Sequence, residues 1–395
     1  MERILILMTE AGGGGHFASA EALRDAFQEH CRDACSVEML DIWSHYAPPP
    51  LSRVPASYRM LVDDLPWLYR LIYEAGERQE VTEPLMAAAA RVLRIPVVRA
   101  IRRYEPSLIV SVHPLVQQIV IRVLRRLRAE MPFVTVVTDL VTIPPVWYSR
   151  EVDLCFVPSE EAYDQGLRAG LDARQLRLCG LPIRSGFGKA PRPKAELRRE
   201  LGFDADLPAA LMVGGGEGMG QMAEVAKAIA AQLGGVSRRG QPPVGQLAVV
   251  CGRNQELMDD LKSYAWPIPV CIVGYASNIW DWMAASDLIV TKAGPGTIAE
   301  ACALGLPMIL TGYIPGQEAG NVPYVLRHGC GVYVEDPVQI ATVVAGWLGP
   351  QRATMDQAAS SARRLGRPRA AFDIAGTIAG MLPREGDHSS PKASG

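Results

Sequence analysis

The sequence predicts an α/β protein built from two doubly wound parallel-sheet domains, on three observations. Near-continuous Val/Ile/Leu runs occur at 4–8, 108–112, 134–138 and 154–157, and again at 210–213, 247–250, 270–273, 288–290 and 308–310. Such runs suit strands buried on both faces, as parallel strands are. Helical stretches alternate with them, which is the βαβ pattern. Glycine clusters recur where the runs end, and in open α/β sheets the carboxyl ends of the strands are where ligands bind.

The 395 residues exceed one compact domain, and roughly 150 residues per domain suggests two. The expected divide is the Gly-, Pro- and Lys-rich stretch 185–201, giving domains 1–185 and 186–354. Residues 43–95 fit neither pattern. They carry prolines, aromatics and aliphatics without a clean period, and are too long for an ordinary βα connection. That excursion is expected to be a packed cap or an apolar contact surface. A helical stretch follows at 355–382, and residues 383–395 have a disordered composition.

Composition is 49% hydrophobic and 21% charged with a net charge of -2, so no global signal for nucleic acid exists. Locally, nine arginines between Arg91 and Glu130, among them Arg122, Arg125 and Arg126, face two glutamates, a candidate surface for an anionic partner. The eight cysteines sit singly in apolar contexts without metal-ligand spacing, so no metal is expected and buried free thiols are the simplest account. The opening strand pattern leaves no expected signal peptide, and no apolar run reaches the roughly 18 residues of a membrane span.

Four loops carry the candidate chemistry. In "LILMTEAGGGGHFASAEAL", Gly14 and Gly15 end a glycine run between strand and helix, and His16 falls in the first helical turn. Unpaired amides and the helix dipole favour an anion there. Desolvation and the dipole both lower an imidazole pKa, keeping it neutral and able to take a proton. A glycine turn whose histidine merely caps the helix would read the same way. "LMVGGGEGMGQMAEVA" repeats the arrangement at Gly214, Gly215, Gly216 and Gly218. It lacks the acidic ribose residue of a dinucleotide fingerprint and the Lys-Ser/Thr of a Walker loop. "TKAGPGTIAEA" places Gly294, Gly296 and Thr297 at a helix start with Glu300 one turn in, suited to a phosphate and a ribose diol. "GYIPGQEAGNVPYV" clusters Gln317, Glu318 and Asn321, suited to a sugar. Two Rossmann-like halves facing a central cleft follow, with a histidine in the first and phosphate-holding loops in the second. Asp139 in "VTVVTDLV" is a further candidate, although a lone carboxylate is more often structural.

Taken together, "GGGGHFASAEAL", "VTVVTDL", "GLPIR", "GGGEGMG", "KAGPGTIAEA" and "GLPMILTGYIPGQEAGNVPYV" resemble, in order, the blocks of the monogalactosyldiacylglycerol synthase family and its bacterial diacylglycerol glucosyltransferase relatives. A more distant resemblance is to the N-acetylglucosaminyltransferase that forms lipid II. The resemblance implies a GT-B fold and an inverting, metal-independent transfer. It also implies that the C-terminal helices cross back to the first domain. His16 would be the catalytic base. Tyr275 and Ala276 would contact uracil, and Arg184 with the 214–220 loop would lie near the diphosphate. Glu300 would hold the ribose, and Gln317 with Glu318 the hexose. His113 in "SVHPL" matches a histidine near the acceptor side. Pro144 stands where the family usually has a histidine.

The implied reaction moves galactose or glucose from a UDP-sugar to the free hydroxyl of diacylglycerol, with no cofactor beyond that co-substrate. Because the acceptor is a lipid, Tyr58, Trp67, Tyr69 and Tyr73 are expected to enter the membrane interface, with the arginines attracting anionic lipids. The expected location is cytoplasmic, peripheral to the inner face of the cell membrane. Transfer to a polyprenyl-linked acceptor, or a binding module without turnover, would use the same loops.

Overall fold

The computed structural model describes residues 1–10, 14–32, 34–49, 51–53, 57–215, 218, 221–235 and 243–382, with the side chains of 58, 59, 63, 66 and 79 outside that description. Strand β1 (Glu2–Met8), helix α1 (Gly15–Cys31) and strand β2 (Cys35–Asp41) form the first unit. The excursion is helical. It comprises α2 (Ile42–Tyr46), α3 (Ser57–Asp63), α4 (Pro66–Gly76), α5 (Gln79–Val92) and α6 (Arg94–Tyr104). Then come β3 (Leu108–Ser111), α7 (Pro114–Leu127), β4 (Phe133–Val136), β5 (Leu154–Val157), α8 (Glu160–Arg168) and β6 (Leu176–Leu178). The six strands make one all-parallel sheet in the order β2-β1-β3-β4-β5-β6.

Helix α9 (Lys194–Glu200) opens the second lobe. Arg198 and Lys194 pin it there through Asp287, at 2.6 and 3.0 Å. The lobe continues with β7 (Ala209–Val213), α10 (Met222–Gly235), β8 (Gln246–Val250), α11 (Gln255–Ser263), β9 (Val270–Val273) and α12 (Ile279–Ala285). It ends with β10 (Leu288–Thr291), α13 (Pro295–Leu304), β11 (Met308–Leu310), α14 (Asn321–Arg327), β12 (Gly331–Tyr333) and α15 (Pro337–Leu348). Its parallel order is β12-β11-β10-β7-β8-β9. The central strands β3, β7 and β10 are buried throughout, and β1 from Ile4 onward, as their apolar runs require.

Helix α16 (Arg352–Leu365) packs on α13 within the second lobe, and α17 (Ala370–Ala379) packs on α1 of the first. Ala371, Ile374, Ala375 and Ile378 of α17 join the core formed by β1, α1 and β3. Burying the two isoleucines contributes roughly 2 kcal/mol each.

The excursion fills a gap between the lobes. Val62 and Tyr69 pack on Ile314 of the second lobe, joined by Leu61 and Tyr73. Gly316 lies under the Tyr73 ring with φ +84°, and a Cβ there would sit 2.7 Å from Tyr73 Cδ1. Both the left-handed backbone and the close approach demand glycine. Gly316→Ala is therefore expected to lower stability by about 2 kcal/mol, read as a depressed thermal unfolding midpoint; an unchanged midpoint would show that this contact does not hold the loop.

Candidate active site

Each sheet has one point where the chain reverses its direction of growth, between β1 and β3 in the first and between β7 and β10 in the second. Adjacent connections leave in opposite directions there and open a crevice. The glycine loops after β1, β7 and β10 lie at these two points, and the Gln317 loop follows β11, the neighbour of β10. After β1, Gly14 adopts φ +75°, a left-handed turn that glycine enters without strain, and a Cβ there would meet nothing within 4 Å. Helix α1 begins at the next residue, so His16 stands in its first turn.

His16 is packed on several sides. Its Nδ1 lies 2.5 Å from Thr138 Oγ1, just past β4. The His113 ring, at the start of α7, meets it edge-on with centroids 5.1 Å apart, and Trp147 lies 6.0 Å away. Burial lowers the His16 pKa, partly opposed by the attraction of Asp139 for the charged ring. Burial and the neighbouring His16 hold His113 well below the ordinary histidine value. Two neutral imidazoles thus share one pocket at neutral pH.

In the second lobe, Gly215 after β7 has φ +77°, and Lys292 after β10 reaches over to it, its Cε 3.7 Å from where a Cβ would stand. Lys292 Nζ is also 3.3 Å from the Cβ position of Gly294, and it is ion-paired with Glu318 Oε1. Gly294 caps α13, with Pro295 in the first turn, leaving the amides of Gly296 and Thr297 without helical partners. Glu300 follows on the same helix. Burial pushes its carboxyl up to about 7, with Arg184 pulling the other way. The Arg184 guanidinium donates to Tyr275 Oη at 3.2 Å, and Tyr275 is half exposed with Arg253 over its ring. Ala276 is buried in the lobe's core.

The halves are joined by hydrogen bonds. Trp147 Nε1 donates to Asp139 Oδ2 at 2.7 Å, and Gln317 Nε2 donates to Asp139 Oδ1 at 3.2 Å. Tyr69 Oη donates to Gln317 Oε1 at 2.9 Å. Nearby, Gly320 N donates to Thr142 Oγ1 at 2.9 Å. The structure therefore brings His16, His113, Asp139 and Gln317 into one cluster, with Arg184, Tyr275, Glu300, Gly294, Gly296 and Thr297 along the second lobe's side.

Other expectations change. Tyr69 and Tyr73 do not face outward: Tyr69 is 9% exposed, and Tyr73 Oη bonds the Thr142 carbonyl. On α4 they lie on the side opposite Trp67 and Leu71, which are 66% and 57% exposed. Arg122 is salt-bridged to Glu83 of α5 at 2.6 Å and mostly covered, and Arg125 contacts Glu151 at 3.4 Å. The exposed arginines without an acidic partner among the described residues include Arg91, Arg94 and Arg99. Asn321 is 1% exposed and donates to the Ala293 carbonyl, so it braces the loop from beneath. A Cβ at Gly218 would lie 2.2 Å from the Cys251 carbonyl, so that glycine serves packing between loops. Gly216 and the Tyr58 side chain lie outside the described residues.

Thr138, Trp147 and Lys292 went unnoticed in the sequence. Thr138 and Lys292 each directly follow or end a strand run, in "VTVVTDL" and "LIVTKAG", and that position was their signal. Trp147 gave none beyond being one of two adjacent aromatics, Trp147 and Tyr148, after a proline pair. Among the described residues no three His, Cys, Asp or Glu side chains gather as a metal site.

Two parallel-sheet Rossmann-like lobes, with their switch points opposed across a cleft, define the GT-B fold. Residues 16–183 match the family model for monogalactosyldiacylglycerol (MGDG) synthase, and residues 209–362 match the glycosyltransferase family 28 C-terminal domain. A probable monogalactosyldiacylglycerol synthase, chloroplastic, from Nicotiana tabacum is 44% identical over 94% of this chain and 69% of its own length. Monogalactosyldiacylglycerol synthase 1, chloroplastic, from Arabidopsis thaliana is 43% identical over 94% and 70%. Among solved structures, MurG of Acinetobacter baumannii shares the fold at a TM-score of 0.60 and 15% identity, covering 96% of this chain and 100% of its own. The S. aureus MnaA–UDP structure does so at 0.61 and 13%, covering 97% of each. The chain belongs to the monogalactosyldiacylglycerol synthase family and is a UDP-sugar-dependent hexosyltransferase. The chloroplastic relatives overturn the expectation of a cytoplasmic protein on the inner face of a cell membrane. No described helix is long and apolar enough to cross a membrane.

Glu300 makes a stability prediction. Its folded pKa is about 7, above that of an unfolded glutamate, so the ionised carboxylate weakens the fold above pH 7 and the penalty fades as pH falls toward the unfolded value. Glu300→Gln should raise the stability of the ligand-free protein by about 3 kcal/mol at pH 8 and by little near pH 4.5. Thermal melts at the two pH values measure this, and destabilisation at pH 8 would contradict the burial argument.

Proposed function

We propose that this chain transfers galactose from UDP-galactose to the free hydroxyl of 1,2-diacylglycerol, inverting the anomeric centre in one displacement without a metal cofactor. The names of the relatives favour galactose and this acceptor. One observation carries the reading: the His16 pocket of one lobe is linked through Asp139 to Gln317 of the other. A base and a sugar-holding loop thus meet across the cleft.

In this reading the acceptor hydroxyl oxygen bonds to the sugar C1 as its proton passes to His16. The C1–oxygen bond to the diphosphate breaks, its electron pair leaving with UDP, and an α-linked donor gives a β-glycoside. Lys292 and the unpaired amides opening α13 stabilise the growing negative charge in a preorganised site. Glu300 accepts hydrogen bonds from the ribose diol, while Tyr275 and Arg184 hold the base and phosphate end. Donor entry exchanges the Lys292–Glu318 contact for contacts to phosphate and sugar hydroxyls.

The acceptor lies in a bilayer, so the chain must reach one. Trp67 and Leu71 on α4, and Val81, Leu85 and Val92 on α5, are exposed apolar side chains, with Arg91 and Arg94 beside them in sequence. We assign this surface to the membrane interface, the arginines contributing roughly 1 kcal/mol each toward anionic lipid.

With purified enzyme and diacylglycerol vesicles, turnover should be faster with UDP-galactose than with UDP-glucose, and proton NMR of the product should give a β anomeric coupling. An α product, or a requirement for a polyprenyl acceptor, would refute the proposal. His16→Asn should lower kcat by roughly 10²- to 10⁴-fold with donor binding kept. The donor KM should rise as pH falls through about 7, as Glu300 takes up a proton. The doubly substituted Trp67→Ala/Leu71→Ala enzyme should lose about tenfold or more in activity on vesicles. It should match the unsubstituted enzyme on a short-chain soluble diacylglycerol, and equal loss on both acceptors would argue for a structural role.

A further inference from the structure

We propose that Thr138 is a positioning residue that sets the tautomer of His16, keeping the ring proton on Nδ1 so that the Nε2 lone pair receives the acceptor's proton. The inference rests on the reading of His16 as the base and supplies what that reading needs, a defined basic nitrogen.

The argument is a count of protons. Thr138 Oγ1 makes two contacts, 3.2 Å to the Val112 carbonyl oxygen and 2.5 Å to His16 Nδ1. A hydroxyl has one proton, and a carbonyl only accepts. If the hydroxyl donates to Val112, His16 must donate through Nδ1–H. The reverse arrangement would withdraw that donor from a carbonyl whose residue is fully buried, which is unfavourable. Thr138 is itself 3% exposed, and its β-branched side chain has few rotamers to escape into. Val112 and Thr138 closely follow β3 and β4, neighbours in one sheet, and His16 stands in the first turn of α1, which holds its ring against them.

The other groups around the ring fit this assignment. Trp147 engages Asp139 through its indole N–H, and Gln317 occupies the second Asp139 oxygen. Asp139 is thereby committed elsewhere and acts on His16 through space, favouring the imidazolium formed in the reaction. His113, neutral for the reasons above, adds no competing charge. A threonine hydroxyl here does what a carboxylate does in other histidine bases: it fixes which nitrogen carries the proton. It does so without a charge that would hold the ring protonated.

The test uses the full chain with ¹⁵N-labelled histidine, the His16 signals identified by their loss in His16→Asn. Long-range proton–nitrogen spectra at pH 8 should show Nδ1 protonated and Nε2 bare. Thr138→Val, of the same shape but without the hydroxyl, should shift the ring toward Nε2–H or a mixture and lower kcat by about 10- to 100-fold, with both KM values within about twofold. Thr138→Ser should restore the spectrum and most of kcat. An Nε2–H ring in the unsubstituted protein overturns the proposal, as does a Val substitution that leaves tautomer and kcat unchanged. A fall in kcat with an unchanged tautomer also overturns it, assigning Thr138 to packing alone. If the Val chain does not fold, the spectrum of the unsubstituted protein still decides. If His16→Asn keeps full turnover, the base reading fails, while the spectrum continues to judge the tautomer separately.

Discussion

The architecture of the cleft depends on a buried carboxylate satisfied from two lobes at once. Asp139 is 4% exposed, and its oxygens accept from Trp147 of its own lobe and Gln317 of the other. Losing either donor would leave part of a buried charge unsatisfied, which costs more than the bond itself contributes. The same carboxylate favours a proton on His16 while burial disfavours it. Lobe closure and the basicity of the candidate base are thereby linked through one side chain.

The donor side shows the opposite economy. Glu300 is half-buried, with its carboxyl desolvated and only Arg184 favouring the charge, so its ionised form is disfavoured until a partner arrives. Sites held ready for a ligand commonly sacrifice stability in this way. Lys292 and Glu318 neutralise one another across the opening of α13. Because Glu318 also accepts from the Ile314 amide at 2.8 Å, the pair braces the loop that carries Gln317. Phosphate and sugar would compete for charges that already hold the empty loop in shape.

Helix α4 connects these two regions to the outside. Tyr69 and Tyr73 recur four residues apart and seal against Gln317, Gly316 and Thr142. Trp67 and Leu71, also four apart, lie on the other side and are exposed. A helix wheel would have separated the two pairs, since 3.6 residues per turn puts positions two apart on opposite faces. Which face meets protein cannot be read that way, because both are apolar and aromatic.

The amino-acid order alone determined the two parallel sheets, because strands buried on both faces must be apolar throughout: β1, β3 to β5, β7, β8, β10 and β11 lie on such runs, and the edge strand β9 is apolar as well. It missed the edge strands β2, β6 and β12: β2 and β6 are partly solvated and mix polar with apolar side chains, and β12 is only three residues long. Glycine turns and His16 were legible for a similar local reason, since a left-handed turn before a helix start restricts residue type. The pairing of His16 with Thr138, of Asp139 with Gln317, and of Lys292 with two glycine turns was decided only by the tertiary structure. Those partners lie 122, 178 and up to 77 residues apart in the chain. Neighbouring strand ends within each sheet, and the meeting of the two lobes, bring them together, and nothing in the local order of residues records which strand will neighbour which.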